Sequence, residues 1–182
     1  MMPLNIPMFL TWLRIVLIPV FVGIFYVPWH WAAPVSALVF LLAAITDWAD
    51  GYLARKWDQT SRFGAFLDPV ADKLMVAAAL VMLTQVYASP WLTVASIIII
   101  GREITISALR EWMAEVGNRG KVAVAFIGKL KTATQMVALV LLLYRNPFLG
   151  IDPQPLGFIL LYVAALLTLV SMFKYLSAAF KS

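Results

Sequence analysis

Six stretches of the sequence run to roughly 20 residues with few charges, the length a helix needs to cross the hydrocarbon core of a bilayer. They are Phe9–Val27, Ala32–Ala54, Asp68–Ala88, Trp91–Arg110, Val122–Tyr144 and Leu156–Leu176. Each is read as α-helix, because lipid offers no partner to an open backbone N–H or C=O. Proline and glycine gather in the breaks, at "VPWHWAAP", "YASPW", "NRGK" and "RNPFLGIDPQP", as loops require. The leading "MMPLNIPMFLTWLR" mixes two prolines with Met, Phe and Trp. It predicts a short segment along the membrane interface ahead of the first span. No basic run precedes the first apolar stretch and no small-residue cleavage site follows it, so it reads as a retained span rather than a signal peptide. With no internal repeat or low-complexity tract, residues 1–182 read as one all-α membrane domain.

Composition supports the same class. Charged residues make up 13 % of the chain and hydrophobic ones 63 %. A soluble domain carries about 25 % charged residues, so too little polar material remains to coat a water-facing surface. Cysteine is absent and there is a single histidine, His30, which excludes disulfide frameworks and Cys- or His-based metal clusters. His30 lies between Trp29 and Trp31 in a break and reads as part of an interfacial aromatic belt. The eight methionines are scattered and read as packing.

The net charge of +5 reads as topology in a membrane chain, not as a surface for nucleic acid, and no nucleic-acid partner is expected. With a cytoplasmic N-terminus, Arg55, Lys56, Arg62 and Lys73 flank the second–third connection. Arg110, Arg119 and Lys121 flank the fourth–fifth, and Lys174 and Lys181 end the chain inside. The opposite side carries only Arg145. That bias puts both termini in the cytoplasm.

Against this background the stretch Asp47–Lys73, "DWADGYLARKWDQTSRFGAFLDPVADK", holds five of the nine acidic residues. Asp47 and Asp50 are three apart, and Asp68 and Asp72 four apart, so each pair shares one helix face. The roughly dozen residues between Arg55 and Asp68 are expected to form a short connection, bringing the two helix ends together at the cytoplasmic surface. One unpaired charge at membrane depth costs about 2.5–3.5 kcal/mol, and four neighbouring carboxylates also repel. Divalent cations relieve both penalties. An all-oxygen donor set favours Mg2+, Mn2+ or Ca2+ over Zn2+, and four carboxylates suit a two-metal site. Gly51, Ala54 and Gly64 leave room for a bulky group near the backbone, and Arg55 offers a forked cation to phosphate oxygens. Helix capping accounts for Asp68 and Asp72 if they open the third helix. It does not account for Asp47 and Asp50, which close the second.

Asp47, Asp50-Gly51, Ala54-Arg55, eight residues to Gly64, then Asp68 and Asp72 is the pattern by which this chain resembles the CDP-alcohol phosphotransferase family, with every fixed position present. The resemblance implies a six-helix integral membrane enzyme, usually a homodimer, that cleaves a CDP-linked substrate, releases CMP and passes a phosphoryl-linked group to an alcohol. It further implies that Asp47, Asp50, Asp68 and Asp72 bind two divalent cations, Mg2+ or Mn2+, with Asp72 also the general base. Gly51, Ala54, Arg55 and Gly64 match positions around the nucleotide and its diphosphate.

Outside that signature, "NIPMFLTWLR", "GREI" from Gly101 and "GKLKTATQM" from Gly128 resemble the bacterial branch that joins CDP-diacylglycerol to glycerol 3-phosphate. That branch implies phospholipid synthesis in the bacterial cytoplasmic membrane, with the site facing the cytosol and membrane lipids as neighbours. Physically, Arg102 and Glu103 fall within the fourth span, and Lys129 and Lys131 within the fifth. Intramembrane charges are costly and usually mark function. Arg102, Arg110, Lys129 and Lys131 are the candidate ligands for the acceptor's phosphate.

Lys129 and Lys131 point in different directions on a helix; Lys129 is favoured for the pocket centre, Lys131 and Arg110 each having the alternative of snorkelling to the surface. Arg102 has the alternative of pairing with Glu103. Asn5, Thr11 and Arg14 are secondary candidates near the headgroup, Thr11 having the alternative of bonding back to its own helix. Two other readings compete: a different acceptor, inositol phosphate or serine, and a divalent-cation transporter. Against the latter, pathway acids usually lie near the midplane, whereas these lie at one surface.

Overall fold

The computed structural model describes residues 6–56, 62–115, 126–147 and 150–180; among these, side chains are described from Thr11 onward, except at 48–56, 62–66, 68, 110, 114, 126, 127, 129, 174 and 178–180. The described chain is helical throughout, without strands. The helices are α1 (Ile6–Tyr26), α2 (Ala32–Lys56), α3 (Arg62–Tyr87), α4 (Pro90–Glu115), α5 (Phe126–Tyr144) and α6 (Gln154–Phe180).

Among the described residues three helices contain stretches long and apolar enough to cross a membrane: Pro69–Tyr87, Pro90–Met113 and Gln154–Ser177. Shorter apolar stretches occupy Thr11–Tyr26, Ala32–Asp47 and Leu130–Tyr144. The bundle wears large apolar side chains on its outside, with Trp91 75 %, Ile97 65 % and Phe173 64 % exposed. A water-soluble surface of that kind would aggregate; in a bilayer it faces lipid tails.

Several helix ends differ from the sequence expectation, for one physical reason. An apolar run marks the depth of lipid, whereas helical hydrogen bonding continues past it wherever polar side chains can reach water. Thus α2 continues to Lys56 and α3 already starts at Arg62, leaving residues 57–61 between them rather than a dozen. From Ile6 onward the N-terminal segment expected along the interface is already part of α1. Asp68 and Asp72 lie well inside α3, whose first turn holds no acidic residue. Capping of the third helix therefore explains neither.

The connections are locally specified. Ser89 precedes Pro90, and its Oγ accepts from the Leu92 N–H at 3.5 Å, placing a hydroxyl cap and then proline at the start of α4. Asp152 Oδ1 accepts from the Gln154 N–H at 2.9 Å and opens α6. Both α3 and α5 hand over to a residue in the left-handed region, Ala88 (φ 44°) and Arg145 (φ 55°).

α5 packs chiefly on α6 and α1 on α2, with α3 contacting α1, α2, α4 and α5. Buried alanines, among them Ala37, Ala43, Ala79, Ala138 and Ala164, let the backbones approach closely. Between them sit Phe21, Phe40, Leu80, Leu139, Leu142 and Leu161, each 1 % exposed or less. One end of the bundle is closed by aromatic and amide groups: Tyr26 Oη donates to Gln85 Oε1 at 2.5 Å, and Tyr87 Oη to the Leu142 carbonyl at 3.0 Å. His30 and Trp31 stack at 4.5 Å on this side, with Trp29, His30 and Trp31 all exposed. Arg14, Asp47, Asp72, Arg102, Glu103 and Lys131 gather at the other end.

Candidate functional site

Consecutive helices run in opposite directions, so the start of α1, the end of α2, the start of α3, the second half of α4, the start of α5 and the end of α6 meet at one end. Each brings a polar group to it. A cavity of about 210 Å3 opens there, lined among others by Asp72 and Lys73 from α3, Arg102 and Glu103 from α4, and Lys131 from α5.

Arg102 and Glu103 are neighbours in sequence, and both turn toward the cavity. Arg102 Nη1 donates to Glu103 Oε1 at 3.0 Å. Lys131 Nζ donates to the same oxygen at 2.5 Å. Lys131 is therefore buried and paired (3 % exposed) and does not snorkel. Arg102 is also held from α6: its Nη2 lies 3.4 Å from Ser171 Oγ, and its guanidinium sits 5.7 Å from the centre of the Tyr175 ring, within cation–π reach. Lys73 Nζ donates to Ser107 Oγ, which itself donates to the Glu103 carbonyl at 2.6 Å. One turn beyond Lys131, Gln135 lines the cavity while 3 % exposed, and its Oε1 has no hydrogen-bond partner. Buried polar groups are rarely left unsatisfied, so a polar ligand has a ready partner there.

On the far side of Asp72, α2 contributes a second carboxylate, that of Asp47. Arg14 of α1, 1 % exposed, makes a 2.7 Å ion pair from Nη1 to Asp47 Oδ1. A narrow gap beside it is lined by both Arg14 and Asp72. The Asp72 carboxylate lies within electrostatic reach of Asp47, Glu103, Arg14 and Lys131. It thus joins the acidic corner between α2 and α3 to the basic cavity between α4 and α5. Thr11 is buried beside Arg14, one helical turn earlier.

Of the residues singled out in the sequence, the structure brings together Arg14, Asp47, Asp72, Arg102 and Lys131. Asp50, Gly51, Ala54 and Arg55 are positions on α2, Gly64 and Asp68 on α3, Arg110 on α4 and Lys129 on α5; their side chains lie outside the described residues, as does Asn5 entirely. Among the described residues no group of three or more metal-ligating side chains occurs. The donor chemistry nonetheless fits a hard divalent cation. Asp47 and Asp72 present carboxylate oxygens at one end of the bundle, helical spacing puts Asp50 on the Asp47 face and Asp68 on the Asp72 face, and the chain has no cysteine thiolate and a single imidazole, that of His30, to compete with them. Lys73, Gln135, Ser171 and Tyr175 were not anticipated. A lysine inside an apolar helix, next to Asp72, was the available signal for the first. The others are ordinary residues in apolar helices and carried none.

Comparison with known proteins bears on the family. Residues 4–170 match the CDP-alcohol phosphatidyltransferase family. A protein of Salmonella typhimurium named CDP-diacylglycerol–glycerol-3-phosphate 3-phosphatidyltransferase is 58 % identical over 178 residues, covering 98 % of this chain and 96 % of its own. Proteins of the same name from Sodalis glossinidius and from Yersinia pestis are 58 % and 57 % identical over the same coverage. With near full-length matches on both sides, the chain belongs to the CDP-alcohol phosphatidyltransferase family.

Proposed function

We propose that this protein transfers the phosphatidyl group of CDP-diacylglycerol to glycerol 3-phosphate, yielding phosphatidylglycerophosphate and CMP in phospholipid synthesis. The name carried by relatives 58 % identical over 98 % of the chain supports the reaction. The structural observation that carries the acceptor is the pair Arg102 and Lys131, two buried cations beside Asp72 in one cavity. At about 210 Å3 that cavity is smaller than the roughly 300–1,000 Å3 pockets that hold drug-sized ligands. A small phosphorylated alcohol suits it better than a nucleotide or a lipid does. Serine brings no phosphate for the two cations to bind.

Arg102 and Lys131 bind the acceptor's phosphate, with Arg110 and Lys129 as further contributors from the same helices. Asp72, between the basic cavity and the acidic corner, accepts the proton of the attacking hydroxyl. The hydroxyl oxygen forms the new bond to the phosphorus that bears the diacylglycerol, the bond from that phosphorus to CMP breaks, and CMP leaves. Gly51, Ala54, Arg55 and Gly64 seat the cytidine diphosphate, and Arg14 fixes the orientation of Asp47 by their ion pair. Asn5 and Thr11 support the headgroup side. Asp47, Asp50, Asp68 and Asp72 would hold two divalent cations, Mg2+ or Mn2+, which when bound neutralise charge on the diphosphate and its leaving oxygen.

All six helices span the cytoplasmic membrane in this reading, with both termini and the site at the cytosolic face, residues 1–182 forming one domain that works as a homodimer. The excess of Lys and Arg at the site end supports the orientation. The reaction is tested with purified protein in mixed micelles given CDP-diacylglycerol, labelled glycerol 3-phosphate and Mg2+ or Mn2+. Labelled phosphatidylglycerophosphate and equimolar CMP are expected, and preference for serine or inositol phosphate over glycerol 3-phosphate would overturn the acceptor.

A further inference from the structure

Arg102 and Lys131 come from different helices and bear like charges, yet both donate to one oxygen, Glu103 Oε1. As ligands for an anion they would gain from a cavity free of other acids. An acidic side chain set between them weakens the field they present to a phosphate. Its presence needs a reason.

Packing alone does not supply one. α4 and α5 are held mainly through shared neighbours, both packing on α3 and α6, and the Glu103–Lys131 bridge runs along the wall of the cavity between them. Nor does Glu103 lie deep in apolar surroundings: its side chain is 22 % exposed, against 4 % for Lys131 and 7 % for Arg102. What the cavity does contain is a second carboxylate, Asp72, within electrostatic reach of Lys131. A lysine ammonium on a flexible four-carbon stem turns readily toward whichever acid is available. Without Glu103, the described carboxylate left on the cavity wall is Asp72.

We propose that Glu103 is a positioning residue that holds Lys131 and Arg102 off Asp72, keeping the Asp72 carboxylate open for chemistry while leaving the two cations aimed into the cavity. The inference rests on the function proposed above for its kinetic readout, and its second readout, Mn2+ binding, needs from that reading only the metal-ligand role of Asp72 and no turnover. Glu103 acts through its neighbours and touches no reacting atom. When the acceptor's phosphate arrives, it joins a pair of cations already held together, so less ordering remains for binding to supply.

The test is Glu103→Gln, alone and combined with Lys131→Gln, with Glu103→Asp alongside. Each protein is assayed for kcat and for the glycerol 3-phosphate KM, and separately titrated with Mn2+ alone by electron paramagnetic resonance. Glu103→Gln is expected to lower kcat by about tenfold or more without raising KM, because the lost interaction guards the reacting carboxylate rather than binding acceptor. It is also expected to weaken Mn2+ binding, since Lys131 then competes for Asp72. Adding Lys131→Gln removes the competitor. Kcat and Mn2+ affinity should both recover above Glu103→Gln alone, while KM rises through loss of the phosphate ligand.

Glu103→Asp keeps the charge on a shorter arm and should show the same split at smaller amplitude, so it carries the test if Glu103→Gln does not fold. Additive losses in the double variant, or unchanged Mn2+ binding in Glu103→Gln, would overturn the inference. Absence of turnover in the unsubstituted protein would instead overturn the proposed function, and the Mn2+ titrations would still decide the role of Glu103.

Discussion

Arg14 and Asp47 form a 2.7 Å ion pair between α1 and α2 in which the arginine is almost wholly buried and the aspartate 38 % exposed. The asymmetry matters. The buried member depends on the pair, whereas the exposed one also presents its carboxylate to the surface at that end of the bundle. Asp47→Asn preserves shape and removes the charge. Losing a charged partner from a buried group costs about 1–3 kcal/mol, so a lower melting midpoint in detergent is expected. Turnover should fall about a hundredfold or more, the scale on which losing electrostatic stabilisation of a transition state is felt. A variant with full turnover would remove Asp47 from the metal site.

Metal dependence follows from the donor set. With the carboxylates of Asp47 and Asp72 as the acidic groups among the described residues there, stripping divalent cations with a chelator is expected to abolish CMP release, and Mg2+ or Mn2+ to restore it. Asp50→Asn and Asp68→Asn should each keep the helical circular dichroism of the parent and lose activity that added metal does not recover. Recovery by Zn2+ in place of the harder ions would contradict an all-oxygen site.

How much of this was legible beforehand depended on range. The helices were readable because apolar length is a local property; the pairs Asp47/Asp50 and Asp68/Asp72 follow from the helix repeat of three to four residues, with the Asp50 and Asp68 side chains outside the described residues. Helix ends were less so. α3 begins six residues before Asp68, since the polar residues upstream carry no mark of being helical rather than loop. Contacts between helices were least readable. That Lys131 meets Glu103, and that Arg14 meets Asp47, depends on how α4 sits relative to α5 and α1 relative to α2. Periodicity within one helix cannot supply that. Sequence favoured Lys129 for the pocket because it follows Gly128; its side chain lies outside the described residues, and Lys131 lines the cavity, one turn before Gln135.

The burial of Lys131 against Glu103 sets the next prediction. Lys131→Gln is expected to raise the glycerol 3-phosphate KM about tenfold or more while changing the CDP-diacylglycerol KM little, because one charge-assisted hydrogen bond contributes about 1.5–3 kcal/mol. Initial rates across a grid of both substrates separate the two constants. Equal increases in both would move Lys131 out of the acceptor pocket and into a shared structural role.

Gln135 offers a gentler probe of the same cavity. Its Oε1 lacks a partner, so Gln135→Leu removes an unsatisfied buried acceptor, and thermal stability in detergent should hold or rise. If the acceptor's free hydroxyl donates to that oxygen, the glycerol 3-phosphate KM should rise as stability does. A variant with unchanged KM would show that the amide faces no ligand.

Among the described glycines the closest helix approach lies far from the site, where Gly157 of α6 meets α5. A Cβ built there would lie 2.9 Å from Leu142 Cγ and 3.3 Å from Leu141 Cβ, and Leu142 is wholly buried. The contact falls on a branch point, not on a side-chain tip that swings aside, so α5 and α6 must separate slightly. Gly157→Ala is therefore expected to destabilise by about 1–3 kcal/mol, the usual cost of overpacking, although alanine is the better helix former. Leu142→Ala alone costs about 2–5 kcal/mol by leaving a cavity. Together the two changes exchange volume across one contact, so the double variant should lose less than the sum of the singles. Thermal midpoints of the four proteins in one detergent measure the cycle, and strict additivity would mean that α5 and α6 do not meet where Gly157 faces Leu142.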